Sequence, residues 1–272
     1  MIQQPRQGFA AVKAFSGVAA AALLLCAALW LPLHAGAAEE AARAPAGTVT
    51  YFKAKKGAKA FRIREKQREA LRKGVKVYEG DRIVTQGKVK MEVRLKDGSA
   101  LRVGPDSEVL LEAAQFDLEK KARKVSASLI IGKAWSKVSK GFTAKDGGAE
   151  SFQVHTENAV AGVRGTTFRV NALVDKSTLV RVYAGTVAVR GIRPLYQTEE
   201  PDAKSGRRQV KKPAQISRKE WERTVTKMMS IKIGANGLPE EEGEFALADE
   251  LKGEEGDWVA WNRALDEAEG HE

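Results

Sequence analysis

The sequence predicts an all-β body of short antiparallel strands, coiled as a solenoid or closed as a sandwich, with a short helical, acidic C-terminal extension. Three observations predict it. Apolar residues alternate with polar ones at period two through most of residues 47–190. Turn residues such as Asp97-Gly98 and Gly104-Pro105-Asp106 punctuate that pattern at short intervals. No convincing amphipathic helix interrupts it.

The first 37 residues are expected to be a leader rather than part of the fold. Arg6 and Lys13 supply positive charge, Val18 to Leu31 is an uncharged apolar run, Pro32 breaks it, and Ala35-Gly36-Ala37 has the small-x-small pattern of a cleavage site. These are the parts of a secretory signal peptide. The alternative is an uncleaved anchor, since the run can be extended to Ala14–Leu33. Cys26 is the only cysteine and follows Leu25, which does not suit a lipobox. A cleaved chain therefore has no thiol for a disulfide, a nucleophile or a metal.

A β body is expected over residues 45–193. Its clearest strand is Lys88 to Lys96, where Val89, Met91, Val93 and Leu95 share one face. Asp97-Gly98 gives a hairpin signal, and Leu101 and Val103 continue on the return strand. Further strands are expected around Val109 and Leu111, at Val125 to Ile131, at Phe152 and Val154, from Phe168 to Val174, at Val180 and Val182, and at Val187 and Val189. Residues 65–73 suit a polar hairpin tip about as well as a helix. A unit of small or apolar residue, Gly and strand start recurs at Ala46-Gly47-Thr48-Val49, Ile131-Gly132-Lys133-Ala134 and Ala184-Gly185-Thr186-Val187. It predicts sharp entries into strands.

Residues 194–216 read as a basic linker with Pro201, Gly206 and Pro213. Residues 217–272 read as an extension with two short helices. The first is expected from Ser217, where Ser217 and Glu220 match a capping box and Trp221, Val225, Met228 and Met229 share a helical face. Residues 240–256 read as acidic loop. The second helix is expected from Asp257, with Trp258, Trp261 and Leu265 on one side.

Charge is uneven. The chain carries a formal +11, yet from Ala235 onward thirteen acidic residues face only Lys252 and Arg263. The body is correspondingly basic. Two uses are open: binding an anionic envelope polymer, a phosphate-bearing lipid or an acidic envelope protein, or self-neutralisation with the acidic tail folded over the basic body. Export argues against nucleic acid as the partner.

Residues 155–170, from His155-Thr156-Glu157-Asn158-Ala159-Val160 through Val163-Arg164-Gly165-Thr166-Thr167-Phe168, resemble the signature of FecR-domain proteins. So do Gly80-Asp81 with Ile83 and Thr85, the Asp97-Gly98-Ser99 hairpin, and Gly185-Thr186-Val187. The resemblance spans about residues 71–190 and implies an all-β periplasmic domain. The best-known family members regulate an extracytoplasmic-function sigma factor through a cytoplasmic N-terminal domain. Only about thirteen residues precede the apolar run here, so that output is not carried over.

The motif residues Thr156, Asn158, Val163, Arg164, Gly165, Thr166, Phe168, Gly80, Asp81, Thr85, Asp97 and Gly98 are expected to be structural, with an interaction role open. Arg164 in particular is expected to tie loops through its donor fork. Trp135, with Lys133 and Lys137, is a candidate contact surface, unless a neighbouring loop covers it. Trp221, Trp258 and Trp261 either dock a partner or pack the C-terminal helices on the body. His155 is the one histidine away from the leader and the terminus, so no Ser–His–Asp set or His-rich metal cluster is expected, and no cofactor. The resulting expectation is an exported, non-enzymatic binding or scaffolding protein of the bacterial periplasm or cell envelope. The alternatives are a periplasmic signalling component acting with a separate membrane regulator, and a polysaccharide-active enzyme.

Overall fold

Eighteen strands and two short helices make up the described part of the protein. The computed structural model describes residues 44–147, 151–192 and 221–269. The expected leader and basic linker lie outside them.

In chain order the strands are β1 (Gly47–Ala54), β2 (Lys59–Arg64), β3 (Gln67–Ala70), β4 (Lys76–Val77), β5 (Arg82–Gln86), β6 (Val89–Leu95), β7 (Ala100–Val103), β8 (Glu108–Asp117), β9 (Ala122–Lys137), β10 (Thr143–Ala144), β11 (Phe152–His155), β12 (Ala159–Val163), β13 (Thr167–Ala172), β14 (Thr178–Ala184), β15 (Thr186–Gly191), β16 (Glu222–Thr226), β17 (Met229–Ile233) and β18 (Pro239–Glu244). The helices are α1 (Leu247–Lys252) and α2 (Gly256–Ala268).

The strands form two sheets that share β9. The first runs β4-β1-β6-β7-β9-β13-β14-β17-β18. The second runs β3-β2-β5-β8-β9-β11-β12-β15-β16. Every pairing is antiparallel except those of β10 and β11 with β9. One apolar core lies between the sheets, with Val93, Leu101, Phe168 and Ile231 from the first and Ile83, Leu111, Leu129 and Phe152 from the second. The fold is thus all-β and mostly antiparallel, its strands curling around one core, with a short helical extension.

The hairpin chemistry follows the sequence. Gly98, between β6 and β7, has φ +82°, and Glu65-Lys66, between β2 and β3, have φ 48° and 74°. Two consecutive positive φ values make the primed turn that suits a twisted hairpin. Residues 65–73 are therefore mostly hairpin and not helix.

Two of the three recurrent Gly units, at Gly132 and Gly185, lie where the chain passes from one sheet to the other, while Gly47 pairs within the first sheet alone. Through Ile131, β9 pairs with β8 in the second sheet; from Gly132 it pairs with β13 in the first. Gly132 has φ +92°, and a Cβ there would meet Ser107 Oγ at 2.3 Å and the Asp106 carbonyl oxygen at 2.7 Å. The alternation breaks at this joint. Ile131, which strict alternation would turn inward with Leu129, is 40% exposed, and the inward run restarts at Ala134. Gly185, φ +81°, makes the corresponding step from β14 in the first sheet to β15 in the second. Gly132→Ala is expected to cost about 1–3 kcal/mol of stability through backbone strain, read as a lower urea midpoint at unchanged slope.

Two expectations for the C-terminal region are corrected. The helix expected from Ser217 is replaced, where described, by the hairpin β16–β17, and the acidic loop is replaced by β18 and α1. Val225 sits opposite Val187 on β15, and Ile231 opposite Val180 on β14, all four fully inside the core. The spacing of Trp221, Val225, Met228 and Met229 matches a helix, but burial on two existing sheet edges rewards the extended form more. The β body therefore continues past residue 193, through β18. The second expected helix is present as α2.

Candidate functional site: a basic sheet face under an acidic strap

The outward face of the first sheet carries one polar row. Glu92 on β6 stands opposite Arg102 on β7, which stands opposite Trp135 on β9. Trp135 also stands opposite Arg169 on β13, which stands opposite Arg181 on β14. Period-two alternation puts all five outward because their neighbours Val93, Leu101, Ala134, Val170 and Val180 point into the core. Lys133, Lys137 and Asn171 flank the row, and Tyr183 stacks on Trp135 with ring centroids 4.1 Å apart.

This face is not open. Residues 245–269, here termed the strap, lie across it. Trp258 meets Trp135 edge-on at 6.2 Å, Phe245 meets Tyr183 at 5.3 Å, and Trp261 packs on Tyr51 at 5.1 Å. Trp135, Tyr183, Trp258 and Val259 form a second apolar cluster, separate from the core between the sheets. Trp135 is 0% exposed. The expected contact surface of Trp135, Lys133 and Lys137 is thus corrected: a helical segment of the same chain covers it.

Charge holds the two layers in register. Arg102 donates to Glu92 at 2.7 Å and to Asp266 at 2.6 Å. Trp135 Nε1 donates to the other Asp266 oxygen at 3.0 Å. Arg169 pairs with Glu250 at 2.5 Å and Glu255 at 3.1 Å, and Arg181 reaches Glu250 at 2.7 Å. Lys133 pairs with Glu255, Lys137 with Glu269 at 2.9 Å, and Lys90 with Asp257 at 3.0 Å. Arg94 pairs with Glu269. Of the two uses open for the charge asymmetry, the structure shows the acidic tail folded over the basic body. Arg102 and Arg169 are 0% and 1% exposed. Guanidinium groups that deep need partnered carboxylates, and both of Arg169's come from the strap.

Ionisation follows from this packing. Burial pushes the Tyr183 hydroxyl well above its ordinary value, so it stays protonated and donates to Glu250. Burial likewise raises Asp266, although Arg102 opposes it. Burial is the largest single influence on Glu255 and Glu269 and works to raise both, but their hydrogen bonds and neighbouring charges together (Lys133, Arg169 and Asn171 for Glu255, Arg94 and Lys137 for Glu269) hold both below their usual value of 4.5. Asp257 is lowered by Lys90.

The sign for stability follows. Glu255, Glu269 and Asp257 contribute docking stability above their unfolded values, and lose it as pH falls through the depressed folded values. Asp266 runs the opposite way, losing its contribution as pH rises through its raised value, and so offsets part of the effect. Acidification from pH 5 to 3 is expected to loosen the strap before the sheets unfold. Tryptophan fluorescence should shift while far-UV circular dichroism holds; a single shared transition would contradict this.

The motif residues lie elsewhere and build the frame. Asn158 Nδ2 donates to the carbonyls of Lys176 at 3.0 Å and Ile233 at 3.3 Å, and its Oδ1 accepts from Thr156 at 3.1 Å and Thr178. Thr85 donates to the Gly104 carbonyl at 2.6 Å, and Thr166 to that of Thr186 at 2.7 Å. Asp81 accepts from the Tyr78 amide at 2.9 Å and pairs with Arg62 and Arg64. Asp97 pairs with fully buried Arg123. Gly80 and Gly165 have φ +86° and +67°, and Val163 and Phe168 belong to the core. Arg164 is a correction. It is exposed, and the buried forks that tie elements together belong to Arg62, Arg102, Arg123 and Arg169.

Residues 81–188 match the family model described as FecR protein. The protein carries a FecR domain. The match starts just before β5 and ends within β15. The FecR domain therefore contains Glu92, Arg102, Trp135, Arg169 and Tyr183, while the strap lies outside it. No curated protein matches the chain. Among solved structures, two of a candidate anti-sigma factor from Parabacteroides distasonis, at 1.65 and 2.50 Å resolution, are each similar at 17% identity and a TM-score of 0.39, over 60% of this chain and 59% of that one.

Sequence reading missed the row as a unit. Alternation alone places Arg102, Trp135 and Arg169 on outward faces, but only the register sets them side by side. Glu250 and Asp266, the main strap partners, carried no signal beyond their place in an acidic tail. The row and its cover offer charge-assisted donors and an aromatic floor, a chemistry of recognition. Among the described residues no group of three His, Cys, Asp or Glu side chains is placed to hold a metal ion.

Proposed function

We propose that this protein is a regulatory component of signal transduction that acts by contact with other proteins, through its FecR domain and without catalysis. The FecR match over residues 81–188 carries the reading, because it covers the whole recognition row. It supports the signalling alternative better than scaffolding alone. The sequence pattern of the first 37 residues supports export to the periplasm or cell envelope, where a regulator of this kind would act with a separate membrane partner.

The test is a deletion strain complemented with the wild-type chain. Deletion is expected to change a restricted set of transcripts that complementation restores, and the mature N-terminus from an envelope fraction is expected at Ala38. Unchanged transcription alongside loss of envelope integrity would favour scaffolding. Recovery only from the cytoplasm would overturn the compartment.

A further inference from the structure

The strap has the character of a detachable element. Among the described residues it follows directly on Glu244, the last residue of β18. No residue of α1 is buried as a whole, although the Glu250 side chain is, at 5% exposed. α2 is thirteen residues long, has no side-chain N-cap, and has no basic residue in its last turn. Glu267 and Glu269 stand there instead, against the helix dipole. A helix that short is marginal alone and depends on docking.

Its contact with the body is also incompletely satisfied. Of the described residues' buried side-chain polar atoms without a hydrogen-bond partner in the protein, all but Ser136 Oγ belong to this layer. They include Trp258 Nε1, Trp261 Nε1, Asn262 Oδ1 and Arg263 Nε on the strap, and Asn171 Oδ1 and Arg181 Nε beneath it. Such groups regain hydrogen bonds when the layer opens, which lowers the cost of opening. The body's own networks around Asn158, Asp81 and Asp97 have no such gaps.

We propose that the strap is an intramolecular stand-in for a partner, and that the face under it binds an acidic, tryptophan-bearing helical segment of another protein. This rests on the reading of the protein as a contact-acting regulator. The strap itself displays the required chemistry. Trp258 and Trp261, three residues apart on one helix, fill the aromatic floor of Trp135 and Tyr51, while Glu250, Glu255, Asp266 and Glu269 meet Arg169, Lys133, Arg102 and Arg94. An anionic polymer would satisfy the cations but leave that floor uncovered. The partner competes with the strap, so the free face exists only when the strap is displaced.

The experiment uses the full chain and a fluorescein-labelled synthetic peptide of residues 245–269. Full-length E250Q/E255Q/D266N/E269Q weakens the strap in place. It is expected to bind the peptide at least tenfold more tightly than wild type, with affinity falling as salt rises and with polyglutamate competing poorly. Equal binding by both proteins, equally effective competition by polyglutamate, or a strap-exchanged dimer replacing peptide binding would overturn the proposal. Should the variant fail to fold, hydrogen exchange on the wild-type chain decides. Amides of α2 are expected to exchange at least a hundredfold faster than those of β9; equal protection would overturn it. Neither readout involves transcription, so failure here leaves the regulator reading to its own test.

Discussion

Trp135→Ala is expected to release the strap while leaving the β body folded. The indole is 0% exposed, stacks on Tyr183, meets Trp258 edge-on and donates to Asp266. Truncating a buried Trp to Ala typically costs about 3–5 kcal/mol. That loss falls on the second apolar cluster and not on the core between the sheets, because Trp135 belongs only to the former. The strap's docking should therefore fail before global stability does. Hydrogen exchange should show α2 amides losing protection while β9 and β13 keep theirs. Arg102 and Arg169 would then be solvated, which spares them the penalty of unpaired burial. A uniform loss of protection across both layers would mean that the strap and the β body are one cooperative unit.

Asp97→Ala is expected to have the opposite signature, a global loss of stability of about 3–5 kcal/mol. The carboxylate is wholly buried and pairs with an equally buried Arg123. It also accepts from the Ser99 amide at 3.0 Å and the Ser99 hydroxyl at 2.7 Å, which shape the β6–β7 hairpin. Its removal strands a guanidinium that keeps only Ser99, Ser139 and Ser151 as neutral acceptors. The double variant Asp97→Ala/Arg123→Met is expected to recover much of the loss, because the unpaired charge goes with the partner. Urea denaturation of the single and double variants measures the coupling. Additive losses would show that the pair contributes little beyond its separate contacts.

These two residues also mark how far the sequence could be read. Asp97 stood in a recognisable hairpin signal, and its turn is where the sequence places it. Its partner Arg123 was invisible, because the two meet only when β9 reaches the β6–β7 turn. Trp135 was legible as an outward residue of its strand. Whether solvent, a loop or a helix covered it was not, since the cover arrives from residues 245–269. The helix expected from Ser217 failed for a related reason. Local spacing favoured a helix, while the open edges of β14 and β15, formed by distant segments, favoured strands.

The sequence by itself determined the all-β class, most strand positions, the Asp-Gly hairpin, the FecR-type motif and the opposition between a basic body and an acidic tail. All of these are local patterns, set by side-chain alternation, turn chemistry and composition. Only the tertiary structure decided that Gly132 passes one strand between two sheets, that Arg102, Trp135 and Arg169 stand in one row, and that the tail closes over them. Those facts depend on cross-strand register and on which faces meet, and register is chosen by the burial of the whole core.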